Sequence, residues 1–571
     1  MIDKIQALWP EIALFVTTCV VMVIGLSRDR VIRRMCAPLC AAGLIVAGVL
    51  AYLTTPPTAG PLPHMAMYGK VVVAAVGLGL LLLMPGVVDR EYEASLNVPS
   101  GTPVDAAGKT IAAAVFDAIK ATRAEFYSFF LFSLTGLMLC AGADDLIWLF
   151  LALELTSLPT YIMVAVSTSR NRSMEAGVKY FFLGALGAAI FLYGFALIYG
   201  GTGSTSFSEI QAELSRQAHA SHGSVNVIAL LGVIMAIMGI SFKIAAVPMH
   251  FYTADVYEGA ASPVSAFLAF VPKSAGFFAI LSLAACVGWG FTLSADGSQT
   301  LVAEGSRGSL PEALRVTLWV VAALTMTVGN VLAILQSSVK RLLAYSSIAH
   351  SGYMLVGVIA GPSLDGSFAS SGVAAVLFYL LCYGVMNLGA FAVLSCLERT
   401  GRETGGTMDE ADSFIDIRGL CQTRPLLGWV LVICSMGLLG LPPLLGFLGK
   451  VPLFSAGLSA GETVLVVILG INSAIAAYYY LRIAYTAVIE KPEETPGLAR
   501  ITDAPFPTRK LAGLLSAAGV VVLAVLGGPL ARFADDAAAT TDSAGSESSA
   551  ARPPAPADTR AASVRSASRD R

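Results

Sequence analysis

The chain contains 571 residues, of which 56% are hydrophobic and only 13% are charged. Because an ordinary soluble domain has about 25% charged residues, this composition excludes a soluble globular protein and indicates a membrane protein. The formal net charge of -2, without a basic surface interleaved with aromatic residues, gives no reason to expect nucleic-acid binding.

Apolar stretches recur along the chain at about 20 residues, the length that a membrane-spanning helix needs. We predict about fourteen spans, numbered 1 to 14 in chain order. They cover residues 11–27, 36–53, 69–88, 124–141, 146–167, 177–200, 225–250, 260–290, 314–336, 341–361, 370–397, 425–460, 463–489 and 510–530. The predicted fold class is therefore an all-α polytopic membrane protein in the lipid bilayer.

The distribution of basic residues predicts the orientation of the chain. When the loops are numbered from span 1, the odd loops hold most of the Lys and Arg residues outside the spans. The even loops carry little beyond Arg216, Arg307 and Arg315. Since basic loops stay in the cytoplasm, we expect the odd loops on the cytoplasmic side of the membrane and both termini on the outer side.

Two stretches fall outside the membrane pattern. Residues 89–123 are polar and predict a cytoplasmic insertion, and residues 532–571 are too poor in apolar residues to fold and predict a disordered tail. The predicted division of the chain is a three-helix segment 1–88, the insertion 89–123, repeats 124–290 and 291–489, a last helix 490–531 and the tail 532–571.

Motifs of soluble catalysis are missing from the sequence. It has no strand followed by a complete GxGxxG, no phosphate loop and no nucleophile elbow, so we expect no nucleotide site. Its nine cysteines are scattered through apolar stretches. Cys36 and Cys40 are one helical turn apart, but no histidine or second pair of cysteines accompanies them, so we expect no metal or iron–sulfur site.

Prolines interrupt two spans that are longer than one crossing requires. Pro248 lies in span 7, and Pro442 and Pro443 lie in span 12. A proline removes a helical hydrogen bond, and paired interruptions in corresponding parts of a chain are typical of inverted-repeat transporters. Taking spans 4–8 and 9–13 as two five-helix repeats makes the two broken helices equivalent, and with them Lys243 and Lys450.

Ionisable side chains inside the spans are the candidate functional residues. Such a group costs roughly 2.5 to 3.5 kcal/mol near the bilayer centre, so its retention points to proton or ion movement. These groups are Glu154, Lys179, Lys243, Lys273 and Lys450. We predict that Glu154, roughly 14 Å into span 5, pairs with Lys243, because pairing keeps both charged. Lys273, with no acid nearby in sequence, is placed to accept a proton.

Structural interpretations compete with these roles. Lys179 lies only a few residues into span 6 and could extend its ammonium to the membrane surface. Glu154 could form a purely structural ion pair. His350 could relay a proton with a pKa near neutrality, or it could simply be hydrogen-bonded.

Two long stretches resemble the antiporter-like subunits of respiratory complex I. The first comprises Phe242-Lys243, Pro248 to Ala260, Ser262-Pro263-Val264 and Lys273; the second runs from Lys340 to Tyr353. Within that family, the Ala-Asp-Val-Tyr-Glu-Gly stretch from Ala254 to Gly259, together with the Gly-Phe-Leu-Gly-Lys stretch that ends at Lys450, most resembles the subunit N group of bacterial NADH:quinone oxidoreductase.

The resemblance implies two inverted repeats that each supply a half-channel for protons. It implies a driving pair Glu154 and Lys243, a central relay Lys273 and an exit lysine Lys450, assisted by Lys179 and His350. NADH, FMN, iron–sulfur clusters and quinone would lie in partner subunits, and the chain would contact a neighbouring antiporter-like subunit and small membrane subunits. A subunit of a multisubunit sodium/proton antiporter is the alternative.

Overall fold

The computed structural model describes residues 2–27, 30–55, 60–87, 123–168, 171–221, 223–293, 299–302, 308–363, 367–400, 409–492 and 500–539. Residues 89–122 of the predicted insertion and residues 540–571 of the predicted tail lie outside these ranges.

The described residues form the predicted set of spans. Ten helices are long and apolar enough to cross a membrane, and shorter apolar helices complete the remaining spans. Spans 1 to 6 are Trp9–Gly25, Cys36–Thr54, Met65–Leu81, Arg123–Ala141, Leu146–Val166 and Asn171–Thr202. Spans 8 to 11 are Ser262–Val287, Glu312–Ile334, Val339–Ala360 and Gly372–Cys396. Spans 13 and 14 are Thr463–Val488 and Pro507–Val525. The all-α polytopic fold is confirmed.

Spans 7 and 12 are each broken in two, as the prolines predict. Span 7 consists of Val227–Ile240 and Thr253–Gly259, and span 12 of Pro425–Leu439 and Leu445–Ser459.

Short elements occupy the loops. Helices Ile2–Ala7, Arg30–Arg34, Phe207–Ala220, Leu420–Thr423 and Gly527–Ala538 lie outside the spans. The strands are β1 Phe291–Leu293, β2 Gln299–Leu301, β3 Leu397–Thr400, β4 Asp409–Glu410 and β5 Arg500–Asp503. β1 pairs with β2, and β3 lies between β4 and β5, all antiparallel. The helix Gly527–Ala538 continues past Arg532, so residues 532–538 are helical although composition predicts that the disordered tail begins at residue 532.

Loops of one parity gather at one end of the helices. Lys340, at the start of span 10 just after loop 9, pairs with Glu410 of loop 11 at 2.6 Å. At the opposite end, Arg315, which follows loop 8, pairs with Glu462 of loop 12 at 2.6 Å. Loops 9 and 11 therefore meet at one end of the helices, and loops 8 and 12 meet at the other.

Three spans form the centre of the molecule. Span 8 is buried along its whole apolar window, and spans 10 and 11 are buried over 94% and 89% of theirs, whereas the peripheral spans 2, 6 and 14 are buried over only 33%. A lysine midway along a central span cannot reach either membrane surface, because it is surrounded by other helices.

The break in span 7 is stabilised by side chains that bond its free backbone groups. Backbone without helical partners at membrane depth needs such replacements. The Tyr252 hydroxyl donates to the Phe242 carbonyl at 2.7 Å, the Ser351 hydroxyl donates to the Ile244 carbonyl at 2.6 Å, and the Val247 amide donates to the Thr325 hydroxyl at 2.9 Å.

The break in span 12 begins at a glycine. Gly440 has a φ of 88°, a left-handed conformation that glycine adopts without steric cost and that ends the first half-helix. The carbonyl of Leu439, freed at this end, accepts a hydrogen bond from the Lys450 ammonium at 2.7 Å. The interruption thus supplies a ligand for a buried charge.

Candidate functional site

The structure brings the predicted pair of Glu154 and Lys243 together. The Lys243 Nζ lies 3.5 Å from a Glu154 carboxylate oxygen and also donates to the Ser157 hydroxyl. The Lys243 side chain is 2% exposed and that of Glu154 is 21% exposed. The pair joins span 5 to the break in span 7, and its carboxylate reaches the perimeter of the helix bundle.

Lys273 is held by neutral groups. It is buried on span 8 and donates to both the carbonyl and the hydroxyl of Ser347, the latter at 2.6 Å. Its Nζ lies 5.0 Å from the ring centroid of Tyr383. Among the described residues it has no ion-pair partner, so its position suits a group that alternates between charged and neutral forms.

A small cavity connects Lys243 and Lys273. Its volume is about 10 Å³, which is close to the minimum that holds one water molecule. Both lysines line it, together with Tyr180, Tyr252, Tyr257 and Ser347. A water there would bridge the two ammonium positions.

His350 is fully enclosed by tyrosines. Its Nδ1 lies 2.5 Å from the Tyr379 hydroxyl and its Nε2 lies 2.9 Å from the Tyr480 hydroxyl, which is itself bonded to Ser346. A neutral imidazole has one donor and one acceptor nitrogen, and a hydroxyl serves either need. His350 can therefore change tautomer without losing a hydrogen bond, which is what a proton relay requires.

Two more tyrosine rings connect His350 to the lysines on either side. The His350 ring centroid lies 5.3 Å from that of Tyr383, which contacts Lys273, and 5.4 Å from that of Tyr353. The Lys450 Nζ lies 5.2 Å from the Tyr353 ring centroid. Lys273, His350 and Lys450 thus form a row across the central spans, with an aromatic face beside each ammonium.

Lys243 and Lys450 differ in their places relative to the helix breaks. Lys243 lies within the break that follows Ile240, whereas Lys450 lies inside the second half-helix of span 12. The two lysines occupy broken spans, as symmetry suggests, but their local backbone is not the same.

Lys179 is not buried, contrary to the prediction that groups it with the charges inside the spans. Its side chain is 44% exposed and pairs with Glu175 at 2.8 Å and with Asp255 at 3.2 Å. Its position near the start of span 6 lets the ammonium reach the surface. It lines an open cavity of about 250 Å³ on the side of the odd loops, with Arg172, Glu175, Asp255 and Glu258.

Some residues of the site were missed by sequence reasoning. Ser157 and Ser347 carry no signal of their own, and the tyrosines around His350 are indistinguishable from core aromatics. A second buried ion pair, Lys70 with Glu11 at 2.8 Å, was detectable, because both residues lie in apolar stretches. This pair joins spans 1 and 3, away from the row.

The described residues contain no group of three or more His, Cys, Asp or Glu side chains that could hold a metal ion. The row itself consists of amines, an imidazole, hydroxyls and a carboxylate, all of which can donate or accept protons.

Comparison with known proteins places the chain in a family. The family described as "NADH:quinone oxidoreductase/Mrp antiporter, TM" matches residues 143–293 and 308–476. NADH-quinone oxidoreductase subunit N of Trichlorobacter lovleyi is 39% identical over 413 residues, covering 72% of this chain and 76% of the relative. Subunit N of Myxococcus xanthus is 38% identical over 439 residues, covering 73% and 78%.

Solved structures show the same fold. A chain of respiratory complex I from Thermus thermophilus with bound aureothin has a TM-score of 0.67 and 29% identity, over 92% of this chain and 99% of that one. A chain of the Mrp complex from a Dietzia species has a TM-score of 0.66 over 94% and 97%, but at 18% identity it supports the fold alone. The chain thus belongs to the NADH:quinone oxidoreductase/Mrp antiporter family of membrane subunits, and the two relatives named above are subunit N of NADH-quinone oxidoreductase.

Proposed function

We propose that this chain is a proton-translocating membrane subunit of a type I NADH:quinone oxidoreductase. Protons cross through the row of Glu154, Lys243, Lys273, His350 and Lys450. The observation that carries the proposal is this row, which runs from span 5 and the break in span 7 through the buried spans 8 and 10 to span 12. Family membership and the identity to subunit N favour NADH:quinone oxidoreductase over a multisubunit sodium/proton antiporter.

The first step is separation of the ion pair. A charge arriving next to Glu154, at the perimeter, draws the carboxylate away and leaves the Lys243 ammonium without a counter-ion in a low-dielectric site. Lys243 then gives its proton to water in the adjoining cavity, and neutral Lys273 accepts a proton from that water.

The second step carries the proton towards span 12. Lys273 donates to Ser347, one helical turn from His350 on span 10. Tautomer exchange at His350, reorientation of the tyrosine hydroxyls and further water carry a proton to Lys450. Lys179 assists from the cytoplasmic rim, where it sets the charge of the open cavity rather than relaying protons within the membrane.

Redox chemistry belongs to the partner subunits in this proposal. They hold NADH, FMN, iron–sulfur clusters and quinone, and the chain contacts a neighbouring antiporter-like subunit and small membrane subunits of the membrane arm. The chain sits in the bacterial inner membrane with the odd loops in the cytoplasm and both termini on the periplasmic side, as the positive-inside rule suggests.

The substitution Lys273→Ala tests the relay. We expect the complex to assemble and the initial rate of proton pumping during NADH oxidation in inverted membrane vesicles to fall at least tenfold, because Lys273 is the amine that bonds Ser347 among the described residues. Unchanged pumping by an assembled variant would rule out the relay. Pumping that requires sodium, together with NADH oxidation that survives deletion of the gene, would favour the sodium/proton antiporter instead.

A further inference from the structure

A carboxylate from loop 11, between spans 11 and 12, binds the beginning of span 8. Glu410, in β4, accepts a hydrogen bond from the Ser262 amide at 2.7 Å and another from the Ser262 hydroxyl at 2.9 Å. Ser262 is the first residue of span 8. The first amides of a helix have no partner within the helix and carry partial positive charge, so a carboxylate there is favourable. Here the capping group comes from a distant part of the chain.

The same carboxylate binds the beginning of span 10. Lys340, the second residue of that span, lies 2.6 Å from Glu410 and also donates to the Ala260 carbonyl at 2.5 Å. The Lys340 side chain is 2% exposed. Burial raises the pKa of Glu410, but the Lys340 ammonium and the Ser262 donors lower it, and the net pKa lies below its ordinary value. The carboxylate is therefore charged at neutral pH.

The two helices joined in this way carry the central relay. From Ser262 to Lys273 is roughly 16 Å along span 8, and from Lys340 to Ser347 is roughly 10 Å along span 10. Lys273 and Ser347 meet there at hydrogen-bond distance. A slip of either helix by one residue moves its side chains by about 1.5 Å, enough to break that contact.

We propose that Glu410 and Lys340 form a cytoplasmic latch that fixes the axial register of spans 8 and 10 and so keeps Lys273 in contact with Ser347. The latch is a positioning pair and carries no proton itself. This inference rests on the proposed function, since the register matters only if protons pass between these helices.

The test uses the complete oxidoreductase in inverted membrane vesicles with the substitution Glu410→Gln. Glutamine keeps an acceptor for Ser262 but offers no charge to Lys340. We expect assembly to persist and the initial rate of proton pumping to fall roughly two- to thirtyfold. Lys340→Met should give the same loss, and the double variant should lose no more, because both substitutions remove one shared contact. The pH profile of pumping should keep its shape.

Two results would overturn the latch. Pumping at the wild-type rate in an assembled Glu410→Gln complex would show that register does not depend on it, and a shifted pH profile would make Glu410 a proton carrier. If Glu410→Gln fails to assemble, Lys340→Met replaces it, since that change removes the ion pair and leaves the hydrogen bonds from Ser262 to Glu410 in place. Reduced pumping then supports the latch, and wild-type pumping refutes it.

Two control variants isolate the cause. Glu490→Gln removes another ion pair at the same end of the helices, between Glu490 of loop 13 and Arg418 of loop 11 at 2.9 Å, and should leave pumping unchanged. Lys273→Ala should abolish pumping. If Lys273→Ala does so while Glu410→Gln has no effect, only the latch fails; if neither variant affects pumping, the proposed function fails as well.

Discussion

The charged side chains of the row differ in what stabilises them. Lys243 has a carboxylate and a hydroxyl, whereas Lys273 and Lys450 contact carbonyls, a hydroxyl and aromatic rings. Within the described part of the chain, the Glu154 pair is the one place in the row where a counter-ion can be lost. This difference makes the pair the natural place for an outside charge to act on the row.

Replacing Glu154 by Gln should stop the first step. Glutamine fits the same space but removes the counter-ion of Lys243, so an outside charge no longer has an ion pair to separate, and we expect proton pumping to fall at least tenfold in an assembled complex. Pumping in vesicles is the measurement. Glu213→Gln, which removes a carboxylate that pairs with Arg216 on the loop helix Phe207–Ala220, is the control and should pump normally. Equal rates for both variants would contradict the role of Glu154.

The broken helices place backbone groups where regular helices would hide them. In span 12 the break exposes the Leu439 carbonyl to Lys450, and in span 7 side chains from other helices bond the freed groups. A break at membrane depth persists only where such partners exist. The site at Lys450 therefore depends on the break in span 12 as well as on the lysine itself.

Gly440→Ala tests this element. The left-handed φ costs alanine about 1 kcal/mol, and its Cβ would lie 3.0 Å from the Lys450 side chain, which must move. We expect reduced pumping. Gly461→Ala is the control, because Gly461 has a φ of 79° but nothing within 4 Å of the added carbon. Both variants should lose similar thermal stability, but only Gly440→Ala should pump slowly. Equal pumping by the two variants would show that proton pumping does not depend on the break in span 12.

At the scale of the whole molecule, one buried ion pair joins two of the N-terminal spans to each other. Lys70 of span 3 and Glu11 of span 1 are both almost fully buried, and Lys70 also donates to the Ala7 carbonyl at 2.5 Å. The pair lies outside the row, so its contribution is to the assembly of the first three spans. We propose these spans as a separate structural unit, in keeping with the division at residue 88.

Lys70→Met should destabilise this unit. It leaves the Glu11 carboxylate without its cation inside the protein, which costs roughly 3–5 kcal/mol when a buried pair is broken. Thermal denaturation of the detergent-solubilised complex is the measurement. The double variant Lys70→Met with Glu11→Gln removes both charges and should recover most of the loss. A double variant as unstable as the single one would show that the charges are not the cause.

The sequence by itself determined the properties that local composition controls. Hydropathy predicted the spans, basic residues predicted their alternation, and Pro248, Pro442 and Pro443 predicted the breaks, because each signal acts over about twenty residues or fewer. The family resemblance then supplied the candidate row.

Only the tertiary structure decided which groups meet. The tyrosines around His350, the Ser347 ligand of Lys273 and the Glu410 cap on span 8 come from segments far apart in the chain, and no local pattern encodes such contacts. Tertiary structure also removed Lys179 from the buried charges, since the burial of a side chain depends on which helices surround it.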